Sequence, residues 1–354
     1  MRGDPHAACS RKTPRYAFGV AQLFEIRNMT ISLSRVPASA DLCEPGRPEE
    51  RIVIEGASMA IGRGEAVALV GESGSGKSLL AMGAVDLLTP GARVKSGESV
   101  FEGQVLQHLE DNDWRALVGM GIGVLLQDAI GSWDPLDFIG LQSGEVLMEH
   151  TELTQGEIQE RVLTALGEVG LSTRRHFGAF VHEVSRGQAQ RGMLASALLS
   201  APRMLIADEP LGGLDVTVAA AVLDLIDDMR TKRGMGMLLV THDLGVVASI
   251  ADRVAVIYAG SIVEDGPVAD VFRRPNHPYT SGLLGSVPGL NRGRLRPIEG
   301  ETPDLFEIEP GCRFADRCPF VLERCRSEKP AVRGMASTRV ACHRSGELEL
   351  AGVG

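Results

Sequence analysis

Apolar and polar positions follow two rhythms along this chain. The run LFEIRNMTISLS, ending at Ser34, alternates apolar with polar residues and predicts a strand with one buried face. The next stretch, RVPASADLCEPGRPEE, is rich in Pro, Ala, Ser and acids and predicts an exposed loop. Further on, EAVALV is a short apolar run bounded by glycine, followed by a Gly-rich turn and then KSLLAMGAVDLL, whose apolar spacing suits a helix. The rhythm recurs: RMLIAD predicts a buried strand, VTVAAAVLDLIDDMR a helix with Val218, Val222, Leu225 and Met229 on one face, and GMLLVTH another buried strand. Apolar strands alternating with helices indicate an α/β fold with a mainly parallel sheet covered on both faces.

Between about residues 128 and 183 the strand rhythm disappears and amphipathic patterns such as TQGEIQERVLTALGEVG take over, which predicts a helical subdomain, about 128–190, inserted in the core. After Phe272 the texture turns to Pro, Gly and Arg. The expected divisions are a flexible N-terminus over 1–21, the core over 22–272, a small cysteine-containing extension over 273–345 and a tail over 346–354. No internal repeat is evident.

Composition narrows the class. The 354 residues are 44% hydrophobic and 23% charged, the balance of a folded globular protein. Acids outnumber Lys plus Arg by 46 to 36, so a general affinity for nucleic acid is not expected. The opening MRGDPHAACSRKTPRY has no apolar stretch behind its basic residues, and it does not read as a secretory signal. ALVGMGIGVLL and GMLASALLSA fall short of the roughly eighteen apolar residues that span a bilayer. A cytoplasmic location is expected, where thiols stay reduced and a disulfide framework is disfavoured.

Candidate chemistry is concentrated at GESGSGKS: Gly71, Glu72, Ser73, Gly74, Ser75, Gly76, Lys77 and Ser78. It fits the phosphate-loop spacing and sits after a buried strand and before a helix. Glycine lets backbone N–H groups close around phosphate oxygens, Lys77 can bridge the outer phosphates, and the Ser78 hydroxyl can ligate magnesium. Far along the chain MLIADEP ends a buried strand with Asp208, placed to hold magnesium through water, and Glu209, which could polarise an attacking water. Taken alone, these acids read as solvated strand ends, but a phosphate loop in the same chain weighs heavily against that reading. His242 in LLVTHD would by itself be a structural histidine and Gln127 in VLLQD a bland polar residue.

Taken in order, these pieces resemble the ATP-binding subunit of an ABC transporter. Gly71–Ser78 looks like Walker A, Gln127 the Q-loop glutamine, VSRGQAQR the signature, MLIADE Walker B, GGLD the D-loop and His242 the switch histidine, together covering Leu23 to about Asp270. The resemblance implies a P-loop NTPase core of ABC type that binds ATP and Mg2+. It makes Glu209 the general base and His242 the group that senses the γ-phosphate. Magnesium falls to Ser78, Gln127 and Asp208, while Ser185, Gly187 and Gln188 would meet the ATP held by a partner. It also implies a second ATPase subunit, identical or related, two integral membrane permease subunits and, indirectly, an extracytoplasmic substrate-binding protein. The chain would then lie peripherally on the cytoplasmic face of the cell membrane.

A narrower likeness lies in the tail, where RRPNHPYTSGLLGSVPGL and GCRFADRCPFVLERCRSEKPAV resemble the dipeptide, oligopeptide and nickel importer branch. Cys312, Cys318, Cys325 and Cys342 hold four of the six cysteines of the chain. Their spacing matches neither a zinc ribbon nor a compact ferredoxin run, so packing and zinc stay open from the residues alone. The tail likeness implies a 4Fe-4S cluster on these four.

Two departures stand out. The signature reads Ser185-Arg186-Gly187-Gln188 where the family usually has Ser-Gly-Gly, and the place of the adenine-stacking aromatic is taken by Leu33. The leading expectation is the ATP-hydrolysing subunit of a peptide-type importer. The alternative is an ATP-binding regulatory subunit with weak hydrolysis whose partner does most turnover. A soluble ABC protein acting on DNA or ribosomes has less behind it, since the chain carries neither a second cassette nor a long coiled coil.

Overall fold

The computed structural model describes residues 22–35, 49–287, 297–308 and 310–353. The expected flexible N-terminus, and most of the Pro-rich loop after Ser34, lie outside them. The strands among the described residues are β1 (Gln22–Arg35), β2 (Glu49–Gly62), β3 (Ala66–Val70), β4 (Ala92–Phe101), β5 (Gln104–Val105), β6 (Ile122–Leu125), β7 (Met204–Asp208), β8 (Gly236–Val240), β9 (Arg253–Tyr258), β10 (Ser261–Pro267), β11 (Arg333–Met335) and β12 (Thr338–Val340).

These strands form two sheets. The larger runs β11-β12-β10-β9-β3-β8-β7-β6. Its centre, from β9 to β6, is parallel. Every residue of β3, β7 and β8 is buried, which is why AVALV, MLIAD and GMLLV read as unbroken apolar runs. The smaller sheet, β2-β1-β4-β5, is antiparallel and includes the alternating run expected as a strand.

Successive side chains of β3 feed different cores, as the period of a strand requires. Val67 and Leu69 pack with Phe24, Ile26, Ile31 and Met59 between the two sheets. Ala68 and Val70 face the opposite way, toward Val254, Val256, Tyr258, Tyr279 and Phe314. A third cluster joins Leu205, Ala207, Met237 and Leu239 to the helical residues Val162, Leu194 and Ile226.

Between β6 and β7 lie helices at Ile139–His150, Gln155–Glu168, Thr173–Phe177 and Arg186–Leu199. The Gln155–Glu168 helix starts at Thr154, whose hydroxyl accepts from the Glu157 N–H while the Glu157 carboxylate accepts from the Thr154 N–H at 2.8 Å. The helix expected from KSLLAMGAVDLL is shorter, Lys77–Gly83, and the chain turns through Asp86 at φ 59° just beyond it. In the Val216–Arg233 helix the buried face is Val222, Ile226 and Met229, so Ile226 takes the inward place expected for Leu225.

The region after Phe272 continues the core sheet instead of standing apart from it. β12 pairs with β10 through Glu264 opposite Val340 and Asp265 opposite Arg339. The buried Glu264 carboxylate accepts from the N–H groups of Asn276 at 2.7 Å and His277 at 3.0 Å, which fixes the entry to the helix Pro278–Gly285. Asp265 takes Arg253 at 2.7 Å and also pairs with Arg339 from the extension. No helix among the described residues is long and apolar enough to cross a membrane.

Candidate active site and a thiol pocket

Four neighbouring strands, β3, β8, β7 and β6, end on the same side of the parallel sheet, because parallel strands carry all their carboxyl ends to one edge. The segments that follow them are Gly71–Ser78, His242, Asp208–Glu209 and Gln127. Sequence-distant groups thus arrive at one place by topology alone.

The loop after β3 is tightly built. A Cβ at Gly71 would lie 2.2 Å from the Ile257 carbonyl oxygen, so no larger residue fits unless the backbone moves. Gly76 stands just before the helix at φ 95°, a conformation open to glycine at little cost. The Ser75 N–H donates to the Glu72 carbonyl at 3.2 Å, and the Ser75 carbonyl accepts from Gly260 N–H at 2.8 Å. Lys77 is buried, and its ammonium donates to the carbonyls of Gly71 at 2.9 Å and Glu72 at 3.0 Å. Burial pushes the Lys77 pKa down, opposed by the negative charges of Glu209, Asp208 and Glu72. Ser73 and Gly74 form the exposed tip.

Asp208 is buried at the end of β7 beside the Ser78 hydroxyl. Burial raises its pKa, partly offset by the Ser78 hydroxyl and by Lys77. Its Oδ1 has no hydrogen-bond partner. A buried, unpaired carboxylate oxygen beside a serine hydroxyl is a hard-oxygen donor set that fits Mg2+ with waters completing its shell.

The next residue, Glu209, sits at φ 47°, a left-handed conformation that costs about 1–3 kcal/mol for a non-glycine residue. Its N–H donates to the Val240 carbonyl at 2.9 Å, which anchors the turn on β8. Its carboxylate lies 2.7 Å from Nδ1 of His242. The His242 side chain is 73% exposed and that of Glu209 only 14%, so the pair runs from the protein toward solvent. Gln127 is exposed just past β6.

Ser185 lies elsewhere, as cap of the Arg186–Leu199 helix. Its hydroxyl accepts from the Gln188 N–H at 3.3 Å and its N–H donates to the Gln188 side chain at 2.9 Å. Among the described residues the signature segment makes no hydrogen bond to the Gly71–Ser78 loop. Instead it touches the D-loop: a Cβ at Gly187 would meet Leu214 at 3.3 Å, and one at Gly213 would meet Arg186 Nε at 2.9 Å. Leu33 is half-buried in β1 and packs on the core between the sheets.

Sequence reasoning missed the surroundings of Glu72. Its carboxylate is gripped by Arg317 through two hydrogen bonds, at 2.6 and 3.0 Å, and by the Thr302 hydroxyl at 3.1 Å. The Glu72 N–H donates to the Tyr279 hydroxyl at 2.8 Å. Arg317 is 245 positions from Glu72, and no local pattern announces the pairing.

A second constellation lies in the extension. Cys312, Cys318, Cys325 and Cys342 line one small cavity, with Phe314 and Phe320 beside them, and none forms a disulfide. Two of the sulfurs accept a backbone N–H, from Leu322 on Cys325 at 3.4 Å and from Arg344 on Cys342 at 3.4 Å. Burial pushes the Cys312 thiol up to about 12, and the neighbouring cysteines push in the same direction. Cys318 and Cys342 are raised too, again mainly by burial. Among the described residues no group of three or more His, Cys, Asp or Glu is arranged to hold a metal ion.

An edge of parallel strand ends that carries a glycine loop, a buried lysine and paired acids, with a helical insertion between β6 and β7, defines an ATP-binding cassette of the ATP-hydrolysing ABC type. The fold is shared with a dimeric post-hydrolysis state of the ATP-binding cassette MJ0796 bound to ADP and Pi, at a TM-score of 0.59 and 22% identity over 69% of this chain and 98% of that one. Residues 54–212 match the ABC transporter family, and residues 263–325 match the C-terminal region of the oligopeptide/dipeptide transporter family. The chain is 43% identical over 276 residues to the dipeptide transport ATP-binding protein DppD of Bacillus subtilis, which spans 77% of this chain and 82% of that protein. It is 42% identical over 298 residues to the oligopeptide transport ATP-binding protein OppD of Mycobacterium tuberculosis, covering 82% of this chain and 48% of that one. The chain belongs to the ATP-binding subunits of the oligopeptide/dipeptide ABC transporter family.

Proposed function

We propose that this subunit energises the import of peptides or related small solutes across the cell membrane. The reading rests on one observation: Lys77, Ser78, Asp208, Glu209 and His242 converge at the strand ends although their segments are far apart in sequence. The names of the relatives supply the solute class. In this reading residues 22–272 are the ATPase domain, with 128–190 as its helical subdomain, and 273–345 are the C-terminal domain.

On binding ATP, the Lys77 ammonium exchanges its two loop carbonyls for phosphate oxygens, while the loop N–H groups close around the phosphates. Ser78, Asp208 and Gln127 would hold Mg2+, which would supply positive charge to offset the charge of the phosphates. Glu209 takes the proton of the attacking water, and His242, already hydrogen-bonded to it, orients the pair toward the γ-phosphate. Ser185, Gly187 and Gln188 present the end of a helix away from their own loop, an arrangement suited to the ATP of a second ATPase subunit. Two such subunits closing on two ATP molecules, and reopening after hydrolysis, would drive two permease subunits fed by an extracytoplasmic binding protein. The subunit then sits peripherally on the cytoplasmic face.

We also propose a 4Fe-4S cluster on Cys312, Cys318, Cys325 and Cys342. Support comes from the convergence of four thiols on one cavity and from the N–H donors on Cys325 and Cys342. When bound, the cluster contributes a covalent cross-link of the extension.

The test is reconstitution of the assembled transporter in liposomes. Peptide-loaded binding protein should stimulate ATP hydrolysis and peptide uptake together. Turnover that survives Glu209→Gln in this subunit would support the regulatory alternative, with the partner ATPase doing the work. Failure of any peptide to stimulate uptake would remove the solute assignment.

A further inference from the structure

Glu72 has all its polar groups engaged, and the C-terminal extension supplies most of the partners. Its carbonyl accepts from Lys77 and from Ser75 N–H inside the loop. Its N–H goes to Tyr279, and its carboxylate goes to Arg317 and Thr302. Tyr279 is completely buried, so that contact is part of a packed wall and not a surface accident.

Arg317 is itself held in place. Its side chain is 7% exposed, its Nε donates to the Glu299 carbonyl at 3.0 Å, and its guanidinium lies 5.8 Å from the centre of the Tyr258 ring. Tyr258 in turn packs tilted and edge-on with Tyr279 and Phe314, with ring centres 4.6 to 5.5 Å apart among the three. A two-pronged guanidinium on a carboxylate fixes orientation as well as distance, which a lysine cannot do. Four residues before Arg317, Arg313 is anchored just as firmly to Val53, to Ala259 and, at 3.0 Å, to Glu55. The turn between them is strapped to the core at both ends.

We infer that Arg317 is a positioning residue for the phosphate loop, acting through Glu72, and that the C-terminal extension is thereby a working part of the ATP site. The chain of cause is short. The Glu72 carbonyl is one of the two groups that hold the Lys77 ammonium in the nucleotide-free loop. The Glu72 carboxylate, through Arg317, sets where that carbonyl stands. Loosening the ion pair lets the loop relax away from the shape that its N–H groups need to meet a triphosphate, and pre-organisation of the site is lost.

This inference rests on the ATP-site reading, and the test separates the two. Binding of a fluorescent MgATP analogue to the full-length chain is measured alongside melting temperature, and KM and kcat for ATP in the assembled transporter. Wild type binds and Lys77→Ala does not, if the site reading holds; loss of binding in wild type overturns both. Arg317→Ala is expected to weaken binding and raise KM about fivefold or more, with kcat changed less. Arg317→Lys should recover only part of the affinity. Glu72→Gln, which keeps shape and removes charge, should reproduce the Arg317→Ala effect and remains informative if Arg317→Ala folds poorly. Combining Glu72→Gln with Arg317→Ala should add little beyond either alone. A lower melting temperature with unchanged nucleotide affinity in these variants overturns the inference, as does full additivity of the two effects.

Discussion

The nucleotide site and the thiol pocket are both buried clusters of ligand-type side chains, yet their charges are handled in opposite ways. At the nucleotide site burial opposes the ionised forms of Lys77 and Asp208, and each charge helps to offset the penalty of the other. In the thiol pocket burial raises the thiols of Cys312, Cys318 and Cys342, and the neighbouring cysteines push in the same direction. The nucleotide site therefore carries charges of both signs before its ligand comes, with Asp208 Oδ1 left for a cation. In the thiol pocket the proposed cluster would have to displace protons as it loads.

That contrast is broken most severely at Glu209. Glu209→Gln keeps the side-chain shape beside His242 but removes the base, and ATP turnover in the assembled transporter should fall by about 10²–10⁴-fold with nucleotide binding retained. A fall in binding as large as the fall in turnover would show instead that the carboxylate serves the ground state. The thiol pocket should respond in stability before chemistry. Protein purified without oxygen should be brown with stoichiometric iron and sulfide, and stripping the iron should lower the melting temperature by about 3–8 °C. A colourless, zinc-loaded preparation would remove the cluster. Next in size is Gly71→Ala, whose added carbon would meet the Ile257 carbonyl at 2.2 Å; a loss of about 1–3 kcal/mol in urea unfolding is expected. A neutral result would mean that the loop can shift without cost.

The two regions also differed in how much the sequence disclosed. The Gly71–Ser78 loop is contiguous, and its flanking strand and helix are signalled by local periodicity, so both loop and position were legible. The buried strands β3, β7 and β8 were legible for the same reason. The antiparallel edge was not: β11 and β12 are three residues each, too short to display a period of two, and the place of β12 beside β10 is fixed by the buried Asp265, which pairs with Arg339 of β12. Equally hidden was the grip of Arg317 and Tyr279 on Glu72, because an arginine in a Pro- and Arg-rich tail carries no mark of the partner it will find. Burial on one face of β3 joins the tail to the core, and no window of sequence spans that distance.

The smallest expected effect concerns the Ser185–Gln188 segment, where an arginine stands in the expected signature. Arg186 occupies the first turn of a helix, where the macrodipole disfavours a cation, and its side chain lies over Gly213 of the D-loop. Gly213 is at φ 73°, so Gly213→Ala introduces both backbone strain and a contact of 2.9 Å with Arg186 Nε. Arg186→Gly removes the second burden and leaves the first. The pair should thus be coupled: Gly213→Ala should cost more in the wild-type background than in Arg186→Gly, by about 0.5–1 kcal/mol in unfolding free energy. The same pair should modestly alter ATPase rate at the one composite site that uses this signature, leaving the other unchanged. Simple additivity would mean that the Arg186 side chain swings to solvent at no cost, and the sequence departure would then have no bearing on how signature and D-loop move together.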